Sequence, residues 1–362
     1  MGKGDLKTRR GKIFNKSYGK HREKGKFKRV YSPKNMTCYV SKEKLTKANK
    51  SLEHIIPNAF GGKLKSFHLL NSYWNEKFGK TIDKTLIKQV PLPTLLSVNR
   101  DRGQNPKIAA YSKGGNKYLI GENSSVEQRP SKPIQTTLEN GKISIKFIKG
   151  QEDGILRSLK KNNPDINIDE IRKQIKWDNS KKEVEIFFEN KFTAITGKDA
   201  FRAITKIIVN FYVFSTNEIT EVADASLFIK GDFEWNNKIK YYYPNNKNIH
   251  SLGRDEVSHL IYIKGNQKEK LLIGYLELFS TYNFLIILND DYNGRNVEFS
   301  YCYDLTSDRE IKKGISLILT KPEVDKMNFP QDHNTESEFQ KKVDRLMKIK
   351  GMKGITKLIS NK

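Results

Sequence analysis

Apolar residues in the second half of the chain recur with the periods of strands and helices. Residues 271–279, 284–288 and 297–303 are short runs rich in β-branched and aromatic residues, with turn residues between them, so they predict strands. Upstream of them, apolar residues recur every three or four positions and predict a helix. Together these patterns predict an α+β domain. The apolar positions of the predicted helix are Phe201, Ile204, Ile207, Ile208 and Phe211.

A hairpin signal marks where this domain begins. Asn140-Gly141 lies between alternating apolar residues at 134–138 and 143–147. Both turn residues tolerate a positive φ, so the pair predicts two antiparallel strands joined by a tight turn. The preceding stretch is rich in Pro, Gly, Asn and Ser, as connectors are.

The first ninety residues have a different pattern. Residues 52–56 and 67–70 predict short strands around a Gly61-Gly62 turn, and a helix is predicted from Ser72. The residues before this module are rich in Lys, Arg and Gly and cannot bury a core. We therefore divide the chain into a basic extended tail at 1–34, a module at 35–90, a connector at 91–133, an α+β domain at 134–330 and a C-terminal helix at 331–362.

The composition narrows the class of partner. The chain of 362 residues carries 67 Lys and Arg against 41 Asp and Glu, a formal charge of +26, which favours a polyanion such as DNA or RNA. No stretch is long and apolar enough to span a membrane, and the N-terminus lacks the apolar region of a secretory signal. With Cys38 and Cys302 as its two cysteines, the chain is expected in the reducing cytoplasm without a disulfide framework.

One short constellation carries chemistry. Glu53-His54 places a carboxylate beside an imidazole on a predicted strand, and Asn75 follows about two dozen residues later near the start of the predicted helix. Carboxylate and amide oxygens suit a hard divalent ion, and a histidine that titrates near neutral pH can deprotonate water. These three residues would suffice for phosphodiester hydrolysis with one metal ion.

The residues Glu53-His54-Ile55-Ile56-Pro57, Gly61-Gly62, Leu69-Leu70, Asn75 and Phe78-Gly79 together resemble the HNH endonuclease family over roughly residues 35–90. The resemblance implies a ββα-metal fold and a nucleic-acid phosphodiester as substrate, with bacterial defence as one setting. It further implies His54 as general base, and Glu53 and Asn75 as ligands of one divalent cation, Mg²⁺ or alternatively Mn²⁺.

Two departures from that family's pattern concern supporting residues. The region of the middle Asn or Asp that orients the base contains Ser66 and His68, either of which would have to substitute for it. The two CxxC pairs that hold a structural zinc in many relatives are replaced by Cys38 with Ser41, and by Asn71 with Trp74. No structural zinc is therefore expected.

The extreme N-terminus resembles the small bacterial ribosomal protein THX. The matching segments are Met1-Gly-Lys-Gly-Asp5, Thr8-Arg9-Arg10-Gly11-Lys12 and Ser17-Tyr18-Gly19-Lys20. The resemblance implies that residues 1–25 dock on ribosomal RNA or a ribosome by neutralising phosphates. The nucleic-acid contacts expected from the tail and the connector are Lys3, Arg9, Arg10, Lys12, Lys20, Arg22, Arg100 and Arg102.

Three functions remain open at this point. The first is an HNH-type metal-dependent endonuclease, and the second is a ribosome-targeted RNase that the tail delivers to ribosomal RNA. The third is a noncatalytic RNA- or ribosome-binding protein with a degenerate HNH fold. Outside the module, His259 lies among apolar strand residues and is interpreted as a structural histidine with satisfied hydrogen bonds.

Overall fold

A computed structural model of the chain shows a mixed α/β protein in which every pair of neighbouring strands is antiparallel across the described residues. The basic tail lies outside these residues, as does the segment after 349. Among the residues that are described, no helix combines the length and apolar composition needed to cross a membrane. The structure describes residues 36–112, 117–122, 125–129, 135–139, 142–146, 152–162, 164–175, 186–188, 194–235, 238–244, 249–327 and 333–349.

The N-terminal module consists of a short two-stranded ribbon followed by helices. The predicted helix from Ser72 is confirmed. The predicted strand at 67–70 is wrong, because the second strand of the ribbon lies at Lys65–Ser66 and Leu69 and Leu70 after it pack into the core instead. Gly61, with a φ of 82°, makes the left-handed turn between the strands. The elements are β1 (Glu53–His54), β2 (Lys65–Ser66), α1 (Ser72–Lys80), α2 (Ile82–Gln89) and α3 (Leu92–Leu95).

The middle of the chain contains two further antiparallel sheets. Residues 108–129, expected as part of a connector, contain three strands. The sequence did not predict them because their period-two alternation is short and lies among polar neighbours. The hairpin predicted on either side of 140–141 is confirmed as a strand pair, although the two turn residues lie outside the described residues. The elements are β3 (Ile108–Ser112), β4 (Lys117–Ile120), β5 (Val126–Arg129), β6 (Gln135–Glu139), β7 (Lys142–Lys146), α4 (Glu152–Asn162), α5 (Ile168–Gln174) and β8 (Ile186–Phe188), with sheet order β5-β4-β3-β8.

A six-stranded antiparallel sheet dominates the second half, and it confirms the three predicted strands there. Three of its inner strands, at 258–266, 271–278 and 282–289, are buried on both faces, so alternate apolar residues enter two different apolar clusters. The strands are β9 (Ile239–Tyr241), β10 (Ser258–Asn266), β11 (Leu271–Leu278), β12 (Tyr282–Asn289), β13 (Val297–Asp304) and β14 (Arg309–Ile311), in the order β14-β13-β10-β11-β12-β9.

Helix α6 (Lys198–Thr216), the helix predicted from the apolar repeat, lies between this sheet and the N-terminal module. It contacts α2 on one side and β10, β11 and β12 on the other. It approaches β11 closely because Gly274 has no side chain: a Cβ there would lie 2.3 Å from Ile208 Cγ2. One continuous apolar core therefore runs from the module through α6 to the sheet. The remaining helices are α7 (Ala223–Lys230), α8 (Lys321–Lys326) and α9 (His333–Ile349), the last of which begins at the predicted C-terminal segment.

His259 on β10 joins the sheet directly to the module. It is fully buried, its Nε2 donates to the Phe60 carbonyl oxygen at 2.8 Å, and its Nδ1 accepts from the Phe279 N–H at 3.2 Å. Both ring nitrogens are thus used in the neutral form. The interpretation of His259 as a structural histidine is confirmed. The Phe60 carbonyl oxygen that it contacts lies in the turn after β1.

We expect the free energy of unfolding to fall as the pH is lowered from about 6.5 towards 4, with His259 contributing up to about 3 kcal/mol. Burial lowers the pKa of His259 to about 4, so the unfolded chain takes up a proton that the folded chain excludes until the pH is lower. Urea unfolding at several pH values measures this loss. A His259→Gln variant with the same pH dependence as the unaltered protein would contradict it.

Candidate active site

The ribbon sets the directions of the two motif side chains. Glu53 pairs with Ser66 and His54 with Lys65. Consecutive strand residues point to opposite faces, so the two motif residues reach different partners. Glu53 is buried at 4% exposure, whereas His54 is half-buried towards the surface.

His54 meets a carboxylate that follows the module. Its Nε2 lies 3.4 Å from Asp101 Oδ2, at the long end of hydrogen bonding. Asp101 is held in place because its N–H donates to the Asn58 side chain at 2.9 Å, and the Asn58 amide donates to the Arg102 carbonyl oxygen at 3.0 Å. A carboxylate only accepts, so Nε2 carries the proton and Nδ1 is left as the basic nitrogen of a neutral His54.

Two lysines complete this surface cluster. Lys63 Nζ donates to Asp101 Oδ1 at 3.0 Å, and Lys65 Nζ donates to Oδ2 at 2.9 Å. Lys65, Lys63 and His54 hold the pKa of Asp101 well below its usual range, against the effect of burial. Burial lowers the pKa of His54, although the Asp101 hydrogen bond opposes this. His54 is therefore neutral at neutral pH, as a general base must be.

Ser66, one of the two residues expected to orient the base, forms a local hydrogen bond in the described part of the chain. Ser66 is buried opposite Glu53, and its Oγ accepts from the His68 N–H at 3.1 Å. This local bond turns the chain after β2. Asp101 is the residue whose carboxylate contacts His54, and the roles predicted for Ser66 and His68 stay predictions.

Glu53 enters a buried ion-pair network. Its Oε1 accepts from Lys206 Nζ at 2.5 Å and from Asn210 Nδ2 at 3.1 Å. The same ammonium donates to Asp83 Oδ2 at 2.7 Å. Burial raises the pKa of Glu53, and Lys206 opposes that rise. Burial by itself would lower the pKa of Lys206, but Asp83 and Glu53 raise it above its ordinary value, so the ammonium stays charged.

Helix geometry brings these partners to one place. Lys206 and Asn210 are four residues apart on α6 and therefore share a face. That face meets α2, which carries Asp83, and the Tyr39 hydroxyl donates to Asn210 Oδ1 at 2.9 Å. Lys206 and Asn210 thus contact the Glu53 carboxylate directly, while Asp83 and Tyr39 contact those two residues.

Asn75 lies one turn into α1, beside the segment that enters β1, and its predicted role as a metal ligand stays a prediction. Its Nδ2 donates to Ser51 Oγ at 2.7 Å and to the Leu52 carbonyl oxygen at 3.2 Å. These bonds fasten helix α1 to the segment entering β1. Of the polar atoms in its side chain, Oδ1 is the one that would bind a cation.

The donor set does not fit a divalent ion at Glu53. Such an ion would bind carboxylate oxygen at about 2.0–2.6 Å, which is where the Lys206 ammonium already lies. Coulomb's law puts repulsion between a divalent ion and an ammonium about 4 Å apart at about 8 kcal/mol for an effective dielectric constant of about 20. Within the described ranges, no three His, Cys, Asp or Glu side chains converge as a metal site. The cation expected at Glu53 and Asn75 stays a prediction, and no step below depends on it.

The positions that would carry a zinc clamp hold a hydrogen-bonded cluster. Asn71 Nδ2 donates to Glu43 Oε2 at 2.8 Å and to Ser41 Oγ at 3.3 Å. Asn71 Oδ1 also accepts from the Trp74 N–H at 3.0 Å, which caps α1. One amide therefore joins the two segments that a zinc ion would join.

We expect Asn71→Ala to lower the free energy of unfolding by about 2 kcal/mol, because it removes a helix cap and the bonds to the segment at Glu43. Urea denaturation measures the change. Ser72→Ala, at the exposed first position of the same helix, is the matched control and should stay within about 0.5 kcal/mol. Equal effects of the two substitutions would contradict the assigned cap.

Of the predicted nucleic-acid contacts, the connector residues Arg100 and Arg102 flank Asp101, which contacts His54. Arg102 is exposed next to Asp101. Arg100 donates from Nη1 to the Gln104 carbonyl oxygen, and its Nε is buried without a hydrogen-bond partner. Arg100 therefore braces its own loop. The contacts predicted in the tail, Lys3, Arg9, Arg10, Lys12, Lys20 and Arg22, lie outside the described residues.

The comparison with protein families identifies the class of this site. A family model described as HNH endonuclease matches residues 38–91, which contain β1, β2, α1 and α2. The match supports an HNH endonuclease module at this place in the chain and points to nuclease activity on nucleic acid. Nothing matched among curated proteins or among solved structures.

Sequence reasoning missed the residues that contact the motif from elsewhere. The sequence offered one indication of Asp101: it is an acidic residue between Arg100 and Arg102, the two arginines predicted to contact phosphates. The indication of Lys206 was weaker: it is a charged residue inside the apolar repeat of a helix that is largely buried. Neither signal names its partner, because the partners are 47 and 153 residues away.

Proposed function

We propose that the chain is an endonuclease that hydrolyses phosphodiester bonds of nucleic acid at His54, oriented by Asp101. The observation that carries this proposal is the His54–Asp101 contact at the surface of the segment that matches HNH endonucleases. A neutral, oriented imidazole at a basic surface is suited to deprotonating water next to a phosphate.

In the proposed reaction, His54 is the base and water is the nucleophile. His54 Nδ1 takes a proton from water while the water oxygen forms a bond to phosphorus, and the bond from phosphorus to the leaving oxygen breaks. The leaving oxygen is then protonated by solvent. Lys63 and Lys65, which lie within 3.0 Å of Asp101, and Arg102 beside it supply positive charge for the phosphate oxygens.

Elsewhere on the module, exposed aromatic rings lie close to lysines. Phe67 is 43% exposed and Tyr73 is 61% exposed. Lys50 Nζ lies 5.2 Å from the centre of the Phe67 ring, and Lys77 Nζ lies 5.6 Å from that of Tyr73. Exposed aromatics among cations suit stacking with bases beside a phosphate backbone, which favours nucleic acid as the ligand.

We expect cleavage to persist at neutral pH and to decline only below about pH 6.5, because His54 has a lowered pKa and is active as the neutral base. Since the Asp101 hydrogen bond raises the pKa of His54, Asp101→Asn should move the acid limb of the pH–rate profile to lower pH. It should also reduce the maximal rate about tenfold or more, because the imidazole loses its orientation. An unmoved acid limb would contradict the assigned contact.

Cleavage assays on three substrates test the function. The purified chain is incubated with duplex DNA, single-stranded DNA and ribosomes, each with magnesium, manganese or chelator. New phosphate and hydroxyl ends on one substrate, absent with His54→Ala, are the expected result. No cleavage on all three would overturn the proposal.

The basic tail defines a narrower version, a nuclease delivered to ribosomal RNA. Residues 1–25 resemble THX and carry the positive charge that suits phosphates. Deleting them should then abolish co-sedimentation with ribosomes while leaving cleavage of free RNA intact. Unchanged co-sedimentation would count against delivery by the tail.

A second candidate function is a noncatalytic RNA- or ribosome-binding protein. The observation favouring it is the Lys206 ammonium on Glu53, which takes up the carboxylate that the family resemblance assigns to a metal ion. Retention of RNA without cleavage under any of the three ionic conditions would select this candidate.

A further inference from the structure

The buried ion-pair network at Glu53 contains a charge arrangement that the proposed reaction does not use. Lys206 is 1% exposed and faces two carboxylates, Glu53 and Asp83. The cluster therefore sets one ammonium against two carboxyl groups. Asp83 Oδ1 is buried and accepts no hydrogen bond, which marks surplus acceptor capacity around the ammonium.

The packing of helix α6 fixes the position of the Lys206 ammonium. Lys206 belongs to α6, which packs against both α2 and the large sheet, and its Nζ also lies 5.9 Å from the centre of the Phe78 ring. Removing a buried lysine from between two carboxylates would leave both uncompensated. An ion from solvent would therefore have to displace a charge that is held by the core.

We propose that the Lys206 ammonium is the resident cation of this module, neutralising Glu53 in place of a divalent ion and fixing the motif strand to helix α6. This inference rests on the active site proposed above, since it assigns that site's buried carboxylate. It makes Lys206 a positioning residue, because the ammonium acts through Glu53 and not on the substrate.

Two consequences follow for divalent ions. Any binding of a divalent ion by the unaltered chain should be independent of Glu53. Without Lys206, however, Glu53 and Asp83 become a pair of carboxylates facing one vacated position: their oxygens lie 2.5 and 2.7 Å from Nζ, close to the distances at which they would bind a metal ion. If Lys206 had only a structural role, its removal would not increase the binding of a metal ion.

Calorimetric titration with Mn²⁺ alone tests the first consequence. The unaltered full-length chain and Glu53→Gln should bind Mn²⁺ with the same affinity, or both should fail to bind it. A loss of affinity of about tenfold or more in Glu53→Gln would show a metal ion at Glu53 and overturn the inference. This comparison does not depend on removing Lys206.

Thermal unfolding with and without Mn²⁺ tests the second. Mn²⁺ should raise the unfolding temperature of Lys206→Met but not that of the unaltered chain. Lys206→Met/Asp83→Asn keeps the net charge of the cluster but leaves one carboxylate, so it should respond less. A folded Lys206→Met that ignores Mn²⁺ would overturn the inference. Failure of cleavage in the substrate assays, by contrast, would overturn the proposed function and leave these titrations unaffected.

Discussion

Replacing His54 with alanine is expected to lower the rate of phosphodiester cleavage about 10²- to 10⁴-fold, the usual contribution of a general base. In the proposed reaction the imidazole is the neutral base, with its Nε2 on Asp101 and its Nδ1 left for water. Single-turnover cleavage with excess protein measures the chemical step separately from product release.

The loss should be confined to chemistry. Retention of nucleic acid by His54→Ala should stay within about twofold, because Lys63, Lys65 and Arg102 remain in place. Lys84→Ala on the exposed face of α2 is the matched control for a change elsewhere in the module, and it should cleave normally. Cleavage by His54→Ala at the rate of this control would refute the assigned base.

Replacing Lys206 with methionine is expected to lower the free energy of unfolding by about 3–5 kcal/mol, the range for removing one partner of a buried ion pair. Methionine keeps most of the volume but leaves Glu53 and Asp83 as uncompensated buried charges. Urea unfolding at neutral pH measures the change.

Lys80→Met is the matched control, because Lys80 forms an exposed ion pair with Glu76 on α1. Exposed pairs contribute about 1 kcal/mol or less. Lys206→Met/Asp83→Asn should recover part of the loss, since it restores the net charge of the cluster. An effect of Lys206→Met no larger than that of Lys80→Met would mean that the ammonium is not fixed in the core.

The local pattern of the chain predicted the elements that depend on nearest neighbours. Helix α1 from Ser72, helix α6, the strand pair around 140–141 and the long strands of the six-stranded sheet follow from periodicity and turn residues. Such signals are strong because each apolar residue reports the face on which it lies. The short strands at 108–129 escaped detection, since a few alternating residues among polar neighbours carry little of this signal.

By itself, the sequence determined the motif and hence the class of site. Glu53, His54 and Asn75 are recognisable because the family resemblance depends on residue type and spacing along one short segment. Their partners were decided by tertiary structure alone. Asp101 reaches His54, and Lys206 reaches Glu53, because the core brings the connector loop and helix α6 against the ribbon. Local periodicity reports which face of an element is buried but not which distant charge lies opposite, and that charge contributes to the pKa shifts of Glu53 and His54.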